Sequence, residues 1–459
     1  MNFPYGVSDF YKIRTRYQVY IDRTDRIPLL EDAGDSLLFL RPLRFGKSLL
    51  LSMLENYYDV AKAAEFDRLF GDLAIGQNPT PLHNQHLILR WDFSMVPSRQ
   101  TFEQQQQVLA SYINAEIRAF ARKYRAILSD EIDIDESFGT ASFISLLSVV
   151  QQTGYKLYLL VDEYDNFANE VLMGAKPTNQ EHYEALVFGE GEFNALFKAI
   201  KGAMAGRGLD RVFIVGVSPI VLHDVSSGFN IAENIYFRAD FNDLCGFTEA
   251  EVSTMLQQVM SACDLSSTQF EEALGLMRTY YNGSLFSNER GESVYNPTLV
   301  YYFLKYLQRM CGYPRNMLDG NLAPDHDKIA YVSRLPKGEE VILNIVDELE
   351  PPSLIALEDR FGIKQMLADS NTESFMLSLL YYLGVLTLDS SVTASGELIL
   401  RIPNLVIQQL YANRLREILL PQAADRDLGQ EAARAFYSAG QLKPLCDFIT
   451  ERIFPIFDN

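Results

Sequence analysis

Residues 37–54 read LLFLRPLRFGKSLLLSML: an apolar strand, a short loop ending in Gly-Lys-Ser, and an apolar helix. No other stretch constrains the chain as much, because this order builds a cradle for an anion. Loop and helix N–H groups converge on one point, Lys47 adds a mobile positive charge, and Ser48 offers a hydroxyl to a magnesium ion. Arg44, Phe45, Gly46, Lys47, Ser48 and Leu49 are the positions expected to wrap a nucleotide phosphate. The common pattern G-x-x-x-x-G-K-[ST] would put glycine at position 41, where this chain has Arg41. The competing reading is a helix start that happens to contain Gly-Lys-Ser, with Lys47 merely solvated.

A second stretch supports the first. LYLLVDEYD at 157–165 is a buried apolar strand ending in Asp-Glu, as a magnesium-nucleotide site needs opposite its phosphate loop. Asp162 is expected to hold Mg²⁺ through water, and Glu163 to orient and deprotonate the water that attacks ATP. Ser218, after the next apolar strand, either senses the γ-phosphate or starts a turn before Pro219. Arg41 and Arg44 either touch phosphate oxygens or brace the loop, and for Arg41 an ion pair with a neighbouring carboxylate is expected. Asp165 either orients Glu163 or caps the helix that follows, and capping is expected. Arg238 is either a basic sensor or a surface cation. His83 and His86 lie three apart before a strand, with no acidic partner in sequence, and no metal is expected there.

Strands and helices alternate through the first half. Strands are predicted at 37–41, 86–93, 156–162, 211–217 and 234–237, and helices at 47–60, 101–126, 143–152 and 181–204. The expected fold is α/β: a P-loop NTPase with a mostly parallel sheet, followed by a mainly helical region. Thr248 and Glu251 form a capping-box pattern. A helix at 374–383, followed by GVLTL, a polar turn and ELILRIP, suggests a winged-helix-like unit, and Pro403 opens a last amphipathic helix. The expected domains are 1–245, 246–345 and 346–459.

The formal net charge of −20 argues against a coat of positive charge for nonspecific DNA binding. The residues ahead of 374, Asp359, Arg360, Lys364 and Asp369 with Glu373, do not make a basic recognition surface. The four cysteines are scattered without C-x-x-C, which suggests neither a disulfide framework nor a zinc cluster. The N-terminus lacks the apolar stretch of a signal peptide and no run of about 20 apolar residues occurs, so a cytoplasmic protein that spans no membrane is expected.

Taken together, GVSDFYKIR, VYIDRT, RPLRFGKSLLLSML, LVDEYD, FIVGVSPI, LCGFTEAEV, YNGSLFS, VYNPTLV, LLYYLGVLTL and LRIPN resemble, in order, the AAA-ATPase-like family. The resemblance spans most of the chain and implies a P-loop domain that binds ATP with Mg²⁺, Lys47, Ser48, Asp162 and Glu163 filling the usual roles. It makes Arg41 a family trait, since RPxRFGK[ST] is the family's form of the loop. Leu43 departs from it, standing where the family commonly has arginine. Many members carry a C-terminal nuclease of the PD-(D/E)xK type, but no Glu-x-Lys occurs in this sequence, so no nuclease activity is expected. The expected activity is Mg²⁺-dependent ATP hydrolysis coupled to the C-terminal region. The alternatives are a nucleotide-gated switch or scaffold that binds a protein partner, or a DNA-associated protein of defence or mobile-element biology.

Overall fold

Four apolar segments become strands because each is short, rich in Leu, Ile, Val and Phe, and largely buried, while a fifth, polar and exposed pair of residues adds to the sheet edge. A computed structural model describes residues 1–97, 101–165, 191–219 and 231–457, apart from 288, 290, 319–328, 330, 331, 334, 336, 347–350 and 360–371. Strands β1 (Ser36–Leu40), β2 (His86–Asp92), β3 (Lys156–Asp162), β4 (Leu209–Gly216) and β5 (Glu233–Asn234) form one sheet in the order β2-β3-β4-β1-β5. Every pairing is parallel. All of β1 is buried, as is all of β3 after Lys156, so neither can show the alternation of a half-exposed strand. β5 is shorter than predicted and starts one residue earlier. The carbonyl of Tyr236, which could have extended it, accepts from the Arg41 guanidinium at 2.8 Å.

Helix α1 (Lys47–Tyr58) packs on β2, β3 and β4, while α2 (Phe102–Lys123) and α3 (Gly139–Gln151) pack on β2 and β3 and against each other. Thr101 caps α2 through its hydroxyl, as the start predicted for that helix requires. Of the helix predicted over 181–204, α4 (Glu192–Ala203) is present and residues 181–190 lie outside the described residues.

The helical part begins at the Thr248–Glu251 capping box, which forms as the sequence indicates and starts α5 (Glu249–Ala262). A second capping box, Ser266 with Gln269, starts α6 (Ser267–Tyr281), and Asn296 caps α7 (Pro297–Met310). Leu256, Val259, Met277, Phe303 and Leu304 close a separate apolar core among these three helices. One expectation is overturned here. Cys263 and Cys311 form a disulfide between the ends of α5 and α7. They are 48 residues apart in sequence, and only the packing of the two helices brings their Cα atoms to 5.5 Å.

The chain then forms a three-stranded antiparallel sheet, β6-β8-β7, from Ser353–Leu354, Leu398–Arg401 and Thr387–Val392. The helix between β6 and β7, α8 (Glu373–Tyr382), shares one continuous core with the parallel sheet through its Met376 and Leu380 and through Leu388 of β7. Asn404, the residue after Pro403, caps α9 (Leu405–Leu419). That helix is not the last, because α10 (Ala423–Ala439) follows. Its sequence forms helix by propensity of Ala, Arg and Glu, with only Ala432 buried, so it carries little apolar signal. Arg360, Lys364 and Asp369 lie outside the described residues. Among the described residues no helix is long and apolar enough to cross a membrane.

Candidate functional site

The carboxyl ends of β1 and β3 are neighbours across β4, so the loop after β1 and the turn after β3 meet at one rim of the sheet. The loop 41–46 turns back through two left-handed residues, Arg44 at φ +68° and Gly46 at φ +104°. A Cβ at Gly46 would meet nothing within 4 Å, so glycine is needed there for its backbone angle and not for space. Gly46 is the residue before α1, whose first N–H groups therefore open toward the loop.

A cavity of about 260 Å³ lies over this rim, lined by Leu43, Arg44, Gly46, Lys47, Ser48, Leu49 and Glu163. Its far wall comes from Gly6, Val7 and Ser8 and from the start of α7 at Pro297, Thr298 and Tyr301. Thr298 donates its hydroxyl to the Arg44 carbonyl at 3.3 Å, fastening that wall to the loop. Of the positions singled out in the sequence, Arg44, Gly46, Lys47, Ser48, Leu49 and Glu163 line this cavity, and Phe45 does not. The outer wall was not legible, because residues 6–8 and 297–301 carry no phosphate-site signature of their own.

Lys47 is buried, and its ammonium donates to the carbonyls of Arg41 at 2.8 Å and Pro42 at 3.1 Å. Burial pulls its pKa down, and Glu163, Asp165 and Asp162 act against that. Burial pushes the Glu163 carboxyl up to about 7, opposed by Lys47 and reinforced by Asp162 and Asp165. Glu163 also sits at φ +47°, a strained angle for a non-glycine residue, immediately after the strand. Asp162 is almost fully buried. Burial raises its pKa, while Arg90, the Ser48 hydroxyl and Lys47 favour its ionised form. Its Oδ2 accepts from the Arg90 guanidinium at 3.0 Å, and its buried Oδ1 has no hydrogen-bond partner among the described residues.

Arg41 lies elsewhere than expected. It is buried and faces away from the cavity, and its guanidinium donates to the carbonyls of Leu40, Tyr236 and Phe241 at 2.7–2.8 Å. The expected carboxylate pair is absent among the described contacts. The guanidinium instead stacks between the rings of Phe39 and Phe286, at 4.4 and 4.0 Å from their centroids. Burial lowers its pKa to about 10, which leaves it charged at neutral pH. Phe45 turns outward to the same joint, edge-on to Phe286, while its carbonyl accepts from the Gly246 N–H.

Ser218 is buried and donates its hydroxyl to Asp165 at 3.1 Å, so it is tied behind the cavity and does not line it. Asp165 also accepts from the N–H groups of Val217 and Ser218, joining the ends of β3 and β4, and the helix it was expected to cap lies outside the described residues. Arg238 pairs with Glu233 and Asp240 away from the cavity, at 3.0 and 2.7 Å. His86 bonds Asp210 at 2.9 Å and the His83 ring bonds the Thr80 carbonyl, an arrangement of structural contacts. Arg90 was missed. The signal available was a lone cation in the apolar run HLILRWDF.

Comparison with known proteins adds three findings. Residues 4–226 match the model of the family AAA-ATPase_like, described as predicted AAA-ATPase, and nucleotide binding is implied by that family. An uncharacterized protein in the vnfD 5′ region of Azotobacter chroococcum mcd 1 is 27% identical over 300 residues. The match covers 64% of this chain and 50% of that protein, so the chain spans about half the length of this relative. Among solved structures, the Walker-type ATPase paby2304 of Pyrococcus abyssi is similar at 15% identity and TM-score 0.47, over 86% of this chain and 96% of that one. The Aeropyrum pernix ORC1 protein, solved in complex with DNA, is similar at 14% identity and TM-score 0.31, over 86% and 93%.

Proposed function

Because residues 4–226 match the AAA-ATPase-like family, we propose that this chain is an Mg²⁺-dependent ATPase that couples its nucleotide state to its C-terminal region. One observation carries the reading: Gly46, Lys47, Ser48 and Glu163 line a single cavity although Glu163 is more than a hundred residues from the loop. In this reading the loop N–H groups and the start of α1 receive the phosphates, and Lys47 moves from its two carbonyl partners to a phosphate oxygen. Glu163 orients the attacking water and accepts its proton, with a carboxyl whose proton affinity burial has brought near neutrality. The apolar recess beside the cavity, walled by Tyr20, Ile21, Leu49, Phe247 and Tyr301, is the proposed seat of the base.

The residues fit a magnesium ion. Asp162 presents a buried Oδ1 with no hydrogen-bond partner among the described residues, close enough to Ser48 for that hydroxyl to favour its ionised form. Asp162 and Ser48 would hold the ion, which when bound neutralises charge on the phosphates.

For the coupling we propose the outer side of the phosphate loop. Gly384, just before β7, sits so close to Pro42 that a Cβ would lie 2.6 Å from the proline ring. Thr387 exchanges hydrogen bonds with the backbone of Leu285, and Phe286 closes over Arg41. A change in the loop therefore bears directly on residues 283–287 and on β7. In this scheme 1–245 is the ATPase domain, 246–345 the helical domain, and 346–459 a winged-helix-like region, which the helix α8 followed by the β7–β8 hairpin supports.

The test is nucleotide binding and turnover by wild type, Lys47→Ala and Glu163→Gln. Lys47→Ala is expected to weaken binding, and Glu163→Gln to keep binding while losing turnover. Wild-type protein that binds no nucleotide with Mg²⁺ present would end the proposal. Binding with turnover no faster than that of Glu163→Gln would leave a nucleotide-gated switch.

A further inference from the structure

Arg90 lies on β2, the edge strand next to β3, and the parallel register sets Arg90 opposite Leu160 and Asp92 opposite Asp162. Side chains alternate along a strand, so Arg90, Asp92 and Asp162 project from the same face of the sheet. That is the face on which α1 packs, because Glu55 of α1 meets the same guanidinium. One arm, Nη2, donates to Asp162 Oδ2 at 3.0 Å. The other, Nη1, lies 3.5 Å from Glu55 Oε2.

The two partners belong to different sources of the proposed metal ligands. Glu55 is on the helix that begins at Lys47 and Ser48, and Asp162 ends β3. A second cation backs the first: Lys123 of α2 pairs with Glu55 at 3.6 Å and with the fully buried Asp59 at 2.7 Å, and Tyr124 donates to Asp59 at 2.8 Å. Asp162 is thereby left with one oxygen occupied by a planar, two-armed donor and the other buried without a hydrogen-bond partner among the described residues. A lysine could hold one carboxylate there as a point charge but could not bridge both in a fixed plane.

We propose that Arg90 is a positioning residue for the magnesium site: it clamps the phosphate-loop helix to the end of β3 and fixes the Asp162 carboxylate so that Oδ1 faces the ion. This rests on the ATPase reading above and names a residue that reading does not use. Outer partners of metal ligands act through orientation, and their loss weakens metal binding by about 10–100-fold.

The experiment measures binding of a fluorescent ATP analogue to the full chain, first in EDTA and then across a MgCl₂ titration, for wild type, Arg90→Met, Arg90→Lys and Glu55→Gln. For Arg90→Met the affinity in EDTA is expected to stay within about twofold of wild type, while the Mg²⁺ concentration for half-maximal tightening rises about 10–100-fold. Arg90→Lys should recover part of that loss, and Glu55→Gln should move the same way by less. A brace for the fold alone would weaken binding in EDTA and in Mg²⁺ equally, and that result would overturn the proposal, as would an unchanged Mg²⁺ requirement in Arg90→Met. If Arg90→Met does not fold, the Glu55→Gln titration decides: an unchanged Mg²⁺ requirement there overturns the clamp. Wild type that binds the analogue in neither condition removes the ATPase reading and this one with it. Wild type that binds normally beside an indifferent Arg90→Met removes only the clamp.

Discussion

The phosphate loop has two sides, and they treat positive charge in opposite ways. On the cavity side, Lys47 holds two carbonyls of its own loop through a flexible stem, contacts that a phosphate oxygen can replace. On the outer side, Arg41 is locked by three short hydrogen bonds and two aromatic faces, with partners drawn from β1, the segment after β5, and Phe286. Within seven residues the chain places one cation at the cavity, where we propose it meets phosphate, and another in the architecture of the loop. The contrast explains how a loop without glycine at position 41 still turns: the arginine replaces a conformational freedom with a rigid anchor.

Substituting each cation should separate the two sides. Lys47→Ala is expected to weaken nucleotide binding by at least about 100-fold, on the order of 3 kcal/mol, with the melting temperature little changed, as read by fluorescence titration and calorimetry. Arg41→Met should do the reverse. Three buried carbonyls lose their donor, at about 1–3 kcal/mol each when fully unsatisfied, and partial repacking brings the expected destabilisation to about 2–4 kcal/mol by urea unfolding. An Arg41→Met protein of normal stability that binds no nucleotide would break the comparison, because the outer arginine would then belong to the site.

Gly384→Ala probes the outer side from its C-terminal partner. The new methyl must displace Pro42 and sit at φ +78°, which together should cost about 1–3 kcal/mol. Nucleotide affinity should shift with it if the joint reports on the loop, and a stability loss at unchanged affinity would confine the joint to packing. Asp210→Asn, at the opposite end of the sheet, is the control and should leave nucleotide affinity untouched. The bonds from His86 and Lys156 bring the Asp210 pKa down from 3.8 to about 2. A depressed carboxylate pKa stabilises the fold above its unfolded value and loses that contribution as pH falls through the folded one. Wild type should therefore exceed Asp210→Asn by up to about 2 kcal/mol above pH 4, with the gap closing toward pH 2 in acid unfolding curves.

The parallel sheet was legible because strands buried on both faces must be continuously apolar, and LLFL, LYLLV and VFIVG are such runs, each too short to cross a membrane as a helix. The capping box at Thr248 was legible because it is local, its two bonds spanning three residues. Helix α10 was not, since it is held by propensity with little burial. The direction of Arg41, the Cys263–Cys311 bond and the clamp of Arg90 were not legible either. Each depends on where a distant segment lands, and a residue's own neighbours in sequence carry no record of that.

The sequence by itself therefore determined the phosphate loop, the acidic strand end and the apolar strands that carry them, because spacing and hydrophobic period act over a few residues. Only the tertiary structure decided which side of the loop each cation serves. That choice follows from which carbonyls, rings and carboxylates the packed sheet brings within about 3 Å of a hydrogen-bond donor, or 4 Å of a guanidinium.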